Sequence, residues 1–255
     1  MFRGGVDFLS SCNQTPDVTL AETTGVARLG FSVLLTDLGG DGLADLVAGG
    51  PSWKSSRGVV RVDATDGSLG PWAGDAAGDK AGWSLSTIEL DGAAGDELLI
   101  GAPFASAVDA SGLALSHVGR AYALEAWAVS GLLGAVAMGG VYGEAPNDML
   151  GYALSATGNL ASVYGSSLIV GAPGGDRNGL TDNGVGYIFD GSTIVANGAS
   201  GVSAADGGAI AASTSKARLG AALSGLGDVN GVVYDDAIAG APGANGVGEV
   251  VLGGQ

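Results

Sequence analysis

One phrase returns four times along the chain. Each copy begins with an apolar residue and Gly, passes through small or aromatic residues and an acidic stretch, and closes with an apolar run and Gly-(Ala/Gly)-Pro. The copies span Arg28 to Pro51, Lys80 to Pro103, Met149 to Pro173 and Arg218 to Pro242. Such recurrence means that one supersecondary unit has been copied, so the fold is decided by how the copies pack. The closing prolines stand 52, 70 and 69 residues apart. That is too long for a helical-hairpin solenoid and suits a four-stranded blade with its loops. The expectation is an all-β β-propeller, a single domain over residues 1–255 with repeats at about 28–79, 80–148, 149–217 and 218–255 plus 1–27.

Apolar runs and Gly/Pro punctuation place the strands within a repeat. In the first copy they fall at Gly30 to Leu35, Leu46 to Gly50, Val59 to Asp63 and Leu69 to Trp72. The third strand recurs at Gly119 to Leu124, Gly184 to Phe189 and Gly246 to Leu252, so each blade reads as four short antiparallel strands. The fourth copy supplies only three, while Asp17 to Thr24 reads as an extra strand before the first copy. Closing the last blade with strands from both termini would remove a sheet edge. The competing arrangement is four consecutive blades of a larger ring, and Val6 to Ser10, which resembles one more third strand, keeps it open. The uncharged stretch between Glu125 and Glu144 reaches the length of a membrane span, but five glycines favour a buried strand pair.

Composition narrows the function. Glycine fills 49 of 255 positions without a three-residue period, which excludes collagen and leaves a turn-dense all-β chain. The formal net charge is −16, with only Lys54, Lys80 and Lys216 as lysines, so nucleic acid is not an expected partner and cations are. Cys12 is the only cysteine, so no intrachain disulfide can form. The start, MFRGGVDFLSSCNQ, lacks the apolar run of a secretory signal.

The loop between the first and second strands carries the chemistry. In the first copy it runs from Asp37 to Asp45 with carboxylates at loop positions one, five and nine: Asp37, Asp41 and Asp45. Three carboxylates in one tight turn repel one another unless a hard cation sits between them. Spaced oxygen ligands with Gly for the turn are how proteins bind Ca²⁺, and the backbone carbonyl of Leu43 would add a ligand at position seven. The fourth copy keeps Asp228, Asn230 and Asp236 at positions one, three and nine, and the second places Glu89, Asp91 and Glu97 there. The third, Asn159 to Ser167, has no carboxylate and is expected not to bind calcium. The alternative for all of them is a solvated Asp/Gly turn.

The pattern LGxxL, then DxxxDGxxD, then apolar residues and GAP resembles the FG-GAP repeat, found in the propeller domain of integrin alpha chains and in many bacterial extracellular proteins. The resemblance covers Arg28 to Leu252. It implies a β-propeller, calcium in the strand-connecting loops, an extracellular or cell-surface location and a role in adhesion or ligand binding. Asp37, Asp41, Leu43 and Asp45 match the family's calcium motif, and Asp228, Asn230 and Asp236 match it in part. Where the family favours Phe before the first Gly, this chain has Leu29, Ala81, Leu150 and Leu219, with aromatics just after that Gly at Phe31, Trp83 and Tyr152.

Catalytic signals are sparse. His117, the only histidine, has no nucleophile-elbow context, and no phosphate loop or Cys/His zinc pattern occurs. The paired acids Asp96-Glu97 and Asp235-Asp236 could in principle act on a glycan, though their register makes them loop ligands first. Trp53, just after a closing Pro-Ser, reads first as blade packing, with ligand stacking as its alternative, and is the one candidate ligand-binding residue of the chain. Loops 104–118 and 174–183 depart most from the repeat and are where a ligand surface is expected. The expected function is a calcium-stabilised, non-enzymatic module that binds a protein or carbohydrate partner, without a membrane span and with possible assembly into homo-oligomers. The alternative is an accessory or catalytic propeller acting on polysaccharide.

Overall fold

The computed structural model describes residues 20–21, 27–64, 67–108, 111–125, 128–158, 160, 166–231, 234–244 and 249–253. The first repeat contributes β1 (Ser32–Thr36), β2 (Asp45–Gly50), the single turn α1 (Trp53–Ser56), β3 (Val59–Ala64) and β4 (Gly67–Ala73). The second contributes β5 (Ser84–Ile88), β6 (Glu97–Ala102), the short hairpin of β7 (Ala107–Val108) and β8 (Ala114–Leu115), and β9 (Arg120–Leu124). It ends with β10 (Gly131–Leu132), α2 (Leu133–Val136) and β11 (Gly139–Tyr142). The third contributes β12 (Leu154–Thr157), β13 (Ser167–Ala172), β14 (Val185–Asp190), α3 (Gly191–Asn197), β15 (Val202–Ser203) and β16 (Gly208–Ala211), and the fourth β17 (Ala222–Gly227), β18 (Asp236–Ala241) and β19 (Glu249–Gly253).

These strands form four main sheets, one per repeat, which makes the chain all-β; none of the sheets closes on itself. Sheet I has the order β1-β2-β3-β4-β10, sheet II β5-β6-β9-β11-β15, sheet III β12-β13-β14-β16 and sheet IV β17-β18-β19. Within each, consecutive strands of the repeat pair antiparallel, as the strand spacing predicts. Two features depart from the expected four-stranded unit. β10 pairs parallel with β4, and β15 pairs parallel with β11, so a two-residue strand from the following repeat covers the outer edge of sheets I and II. The expectation of a buried strand pair between Glu125 and Glu144 is therefore corrected. β10 joins the preceding sheet, α2 makes one turn, and only β11 joins sheet II. Among the described residues no helix is long and apolar enough to cross a membrane. Of the proposed N-terminal strand Asp17 to Thr24, only Leu20 and Ala21 are described, and they are in neither strand nor helix; Val6 to Ser10 and Cys12 lie outside the described residues.

The central strands explain the packing. β6 (ELLIGA) and β13 (SLIVGA) are buried along their whole length, because sheets II and III pack on both faces. Alternation then sends neighbours in sequence to different interfaces. Leu98 and Ile100 meet Val47, Val60, Val62 and Trp72 between sheets I and II, whereas Leu99 faces Leu168, Val170, Tyr187 and Phe189 between sheets II and III. The interface of sheets III and IV is built mainly from alanines: Ala212, Ala217, Ala239, Ala241 and Ala244 with Leu219.

The sheets meet through a joint that repeats three times. The first Gly of each closing tripeptide, Gly49, Gly101 and Gly171, sits so close to Gly82, Gly151 and Gly220 of the next sheet that an added Cβ would overlap their backbone oxygens. Parallel bridges Gly58 to Ala81, Gly119 to Leu150 and Gly184 to Leu219 join the same sheets. The residue that opens each repeat is left-handed in all four copies, with φ of 53° at Arg28, 55° at Lys80, 58° at Met149 and 58° at Arg218.

Candidate metal centre

Three of the four first strands end in an acidic loop, and these three loops share one hydrogen-bond plan. The acid at loop position nine opens the buried second strand and accepts the backbone N–H of the second loop residue. Asp45 accepts from Leu38 at 3.0 Å, Glu97 from Leu90 at 2.6 Å and Asp236 from Val229 at 2.9 Å. All three acids are under 5% exposed. The acid at position one folds the turn by accepting N–H groups further along, the local bonding that short acidic side chains favour. Asp37 accepts from Asp41 and Gly42, Glu89 from Asp91 and Gly92, and Asp228 from Gly231. In the first loop Asp41 turns onto the Leu43 N–H at 2.7 Å, and the Leu43 side chain is exposed. In the fourth loop the Asn230 amide donates to Asp236 at 3.1 Å.

The second loop concentrates charge most. Ligand atoms of Glu89, Asp91 and Glu97 lie within 4.8 Å of one another, the one such group among the described residues. The first loop, which the sequence favours, does not bring Asp37, Asp41 and Asp45 this close. The longer glutamates at both ends of the second loop reach across it, which the shorter aspartates of the first do not. Burial pushes the Glu97 carboxyl up to about 7; the Leu90 N–H opposes this, and the Asp91 and Glu89 charges reinforce it. A buried carboxylate between two like charges is costly to ionise without a cation, so the donor set suits a hard, oxygen-preferring metal ion. Of the third loop, residues 159 and 161–165 lie outside the described residues.

Neighbouring loops interlock. Asp96 accepts from the Thr36 hydroxyl at 3.2 Å, and its N–H donates to the Asp37 carbonyl. A Cβ on Gly158 would overlap the Asp235 carboxylate, so position eight of the fourth loop reaches the third in the same way. The paired acids thus diverge: Glu97 and Asp236 serve their own loops while Asp96 and Asp235 meet the preceding one. Beside Glu89 and Gly92, with Ser166, Asp190 and Ser192 opposite, lies a cavity of about 280 Å³.

The tryptophans are placed differently from the stacking expectation. Trp53 is buried against Ala27, Val59 and Ala73, with the Lys54 ammonium 4.2 Å from its ring centre, so the packing reading holds and the weaker ligand-stacking alternative is corrected. Trp72 is fully buried and donates to the Ala128 and Val129 carbonyls, and Trp127 lies outside the described residues. Surface aromatics gather instead at the other ends of the first strands. Trp83 stands 4.8 Å from Phe31, 5.3 Å from Tyr152 and 5.4 Å from Phe104 between ring centres, and the Lys80 ammonium lies 3.8 Å from the Phe104 ring centre. His117, exposed, packs edge-on to Phe104 and lies 3.3 Å from the Asn147 amide oxygen. Sequence reasoning had the signal for this cluster, because Phe31, Trp83 and Tyr152 each follow the Gly that opens a repeat.

No protein-family model matches the sequence, and no curated protein matches it significantly.

Proposed function

We propose that the chain is a calcium-stabilised, non-catalytic binding module of the β-propeller type, its four sheets acting as blades. The observation that carries this is the loop plan repeated in three blades, with Glu89, Asp91 and Glu97 drawn within 4.8 Å. Calcium would be held by Glu89, Asp91 and Glu97, with Asp37, Asp41, Leu43 and Asp45 and then Asp228, Asn230 and Asp236 as further sites. When bound, the ion supplies charge neutralisation, which relieves the repulsion among these acids. The motif resemblance to FG-GAP repeats supports an extracellular or cell-surface role in adhesion, with a protein or carbohydrate ligand. The Phe31, Trp83, Tyr152 and Phe104 cluster, at the opposite strand ends from the acidic loops, is the surface best suited to receive it.

The test is thermal unfolding in calcium and in chelator, with Glu97→Gln and Asp41→Ala. A ligand that binds only the folded state raises its melting temperature. Calcium is expected to stabilise the wild type, with Glu97→Gln removing most of that response and Asp41→Ala a smaller part. An identical melt in calcium and chelator for the wild type overturns the metal assignment.

A further inference from the structure

The joint between sheets has two halves, and among the described residues one of each is left open. Sheet I presents Gly49 forward to Gly82, sheet II Gly101 to Gly151, and sheet III Gly171 to Gly220. Sheet IV carries the next forward half at Gly240, where an added Cβ would find only ordinary contact, 3.7 Å from the Cβ of Ala222 in its own sheet. Sheet I carries the receiving half at Gly30, which is left-handed at φ +89° as Gly82, Gly151 and Gly220 are at +79°, +88° and +88°, yet a Cβ there would meet nothing within 4 Å among the described residues.

The flanking side chains repeat the pattern. Leu85, Leu154 and Leu223, three residues after their receiving glycines, each pack into the interface with the preceding sheet. Val33 holds the same place after Gly30 and is 65% exposed, with Leu35 beyond it at 53%. On the forward side, Ser32 and Ser84 donate to the Gly82 and Gly151 carbonyls of the next sheet. Ala222, which holds that place in sheet IV, is exposed, as are Ser224 and Leu226 after it. Within one chain the two open halves sit on sheets I and IV, with sheets II and III between them.

We propose that the partner for these two faces is a second copy of this chain, with Gly240 of each copy seated on Gly30 of the other. The argument is continuity: the missing contact is one this sequence already makes three times, and a second copy carries both halves of it. Two copies then form two identical joints and close on themselves when each joint turns the next copy by half a turn; a head-to-tail contact whose rotation does not close would continue as a filament. The contacting positions, Gly30, Val33, Leu35, Gly240, Ala222 and Ser224, carry no charge on a chain of net charge −16, so the copies meet where like-charge repulsion is least.

Sedimentation velocity and light scattering of residues 1–255 test this over a wide concentration range. The expected mass is twice the 24.6 kDa of the chain. Gly240→Ala is the selective variant: its methyl group fits the isolated chain but overlaps the partner's backbone, so the species should fall to the mass of one chain with an unchanged circular dichroism spectrum. Val33→Asp, at an exposed position, gives the same fall by a second route and decides the matter if Gly240→Ala does not fold. A wild type at single-chain mass throughout overturns the proposal, including the case where Gly240→Ala lowers stability because the chain closes on itself. Open-ended polymers overturn it too, as does a Gly240→Ala or Val33→Asp variant that keeps the doubled mass.

Discussion

Replacing Gly171 with Ala places a methyl group where sheets III and IV touch. The three nearest atoms it would meet all belong to backbone: the oxygen, carbonyl carbon and Cα of Gly220, the last at 3.1 Å. These nearest contacts cannot swing away as a side chain would, so relief requires the two sheets to part. Overpacking of this kind costs ~1–3 kcal/mol or more. It is offset by the ~0.4–1 kcal/mol that Gly→Ala contributes by restricting the unfolded chain. The interface itself is rich in alanine and has few large side chains to hold the sheets together once they part. The net expectation is a loss of about 2 kcal/mol, a fall in melting temperature of roughly 4–8 °C for a domain of this size. Gly208→Ala is the control. Gly208 is also in a strand with ordinary φ, but its added Cβ would lie 3.7 Å from Ile188, so that variant should gain ~0.4–1 kcal/mol. Urea unfolding of both variants beside the wild type measures the difference. If Gly171→Ala proves as stable as Gly208→Ala, the glycine joint does not hold the sheets in register and the packing argument fails.

Two further outcomes follow from the site. Because burial holds the folded Glu97 carboxyl at about 7, above its ordinary 4.5, the folded state binds that proton more tightly than the unfolded chain does. Metal-free stability should therefore fall as pH rises from about 4.5 to about 7 and level off above, while calcium affinity rises across the same window. Asp79 and Asp148, also raised by burial, act in the same direction, so the difference between wild type and Glu97→Gln in chelator isolates the Glu97 contribution; parallel pH profiles would refute it. Trp53→Ala should cost about 3 kcal/mol in urea unfolding, as expected for a buried aromatic, and leave glycan or protein binding unchanged. Weakened binding by a stably folded Trp53→Ala would restore the stacking role.

The strand plan was legible because its signals are local. Apolar runs such as LVAGG and RAYAL, bounded by Gly, placed β2 and β9, and a shared register marked the acidic loops. What escaped were pairings between repeats. Gly131 and Leu132 belong to the second copy but pair with Trp72 and Ala73 of the first, and two residues carry no periodicity to announce it. The left-handed opening position is occupied by Arg, Lys, Met and Arg, a set with no common turn chemistry, so only the backbone reveals that the copies agree there. The close approach of three carboxylates in the second loop was also not legible. Spacing favoured Asp37, Asp41 and Asp45, but convergence of oxygen atoms depends on side-chain reach and on which backbone N–H groups compete for each carboxylate.

The borrowed edge strands give the molecule a direction in time. β4 remains an open template until Gly131 and Leu132 arrive, and β11 until Val202 and Ser203 do. At ~5–20 residues per second of synthesis, each growing sheet waits for seconds with its hydrogen-bonding groups bare. Sheets I and II are thus each sealed by the repeat that follows, and removing the second or third copy would leave the sheet before it with an unprotected, adhesive rim.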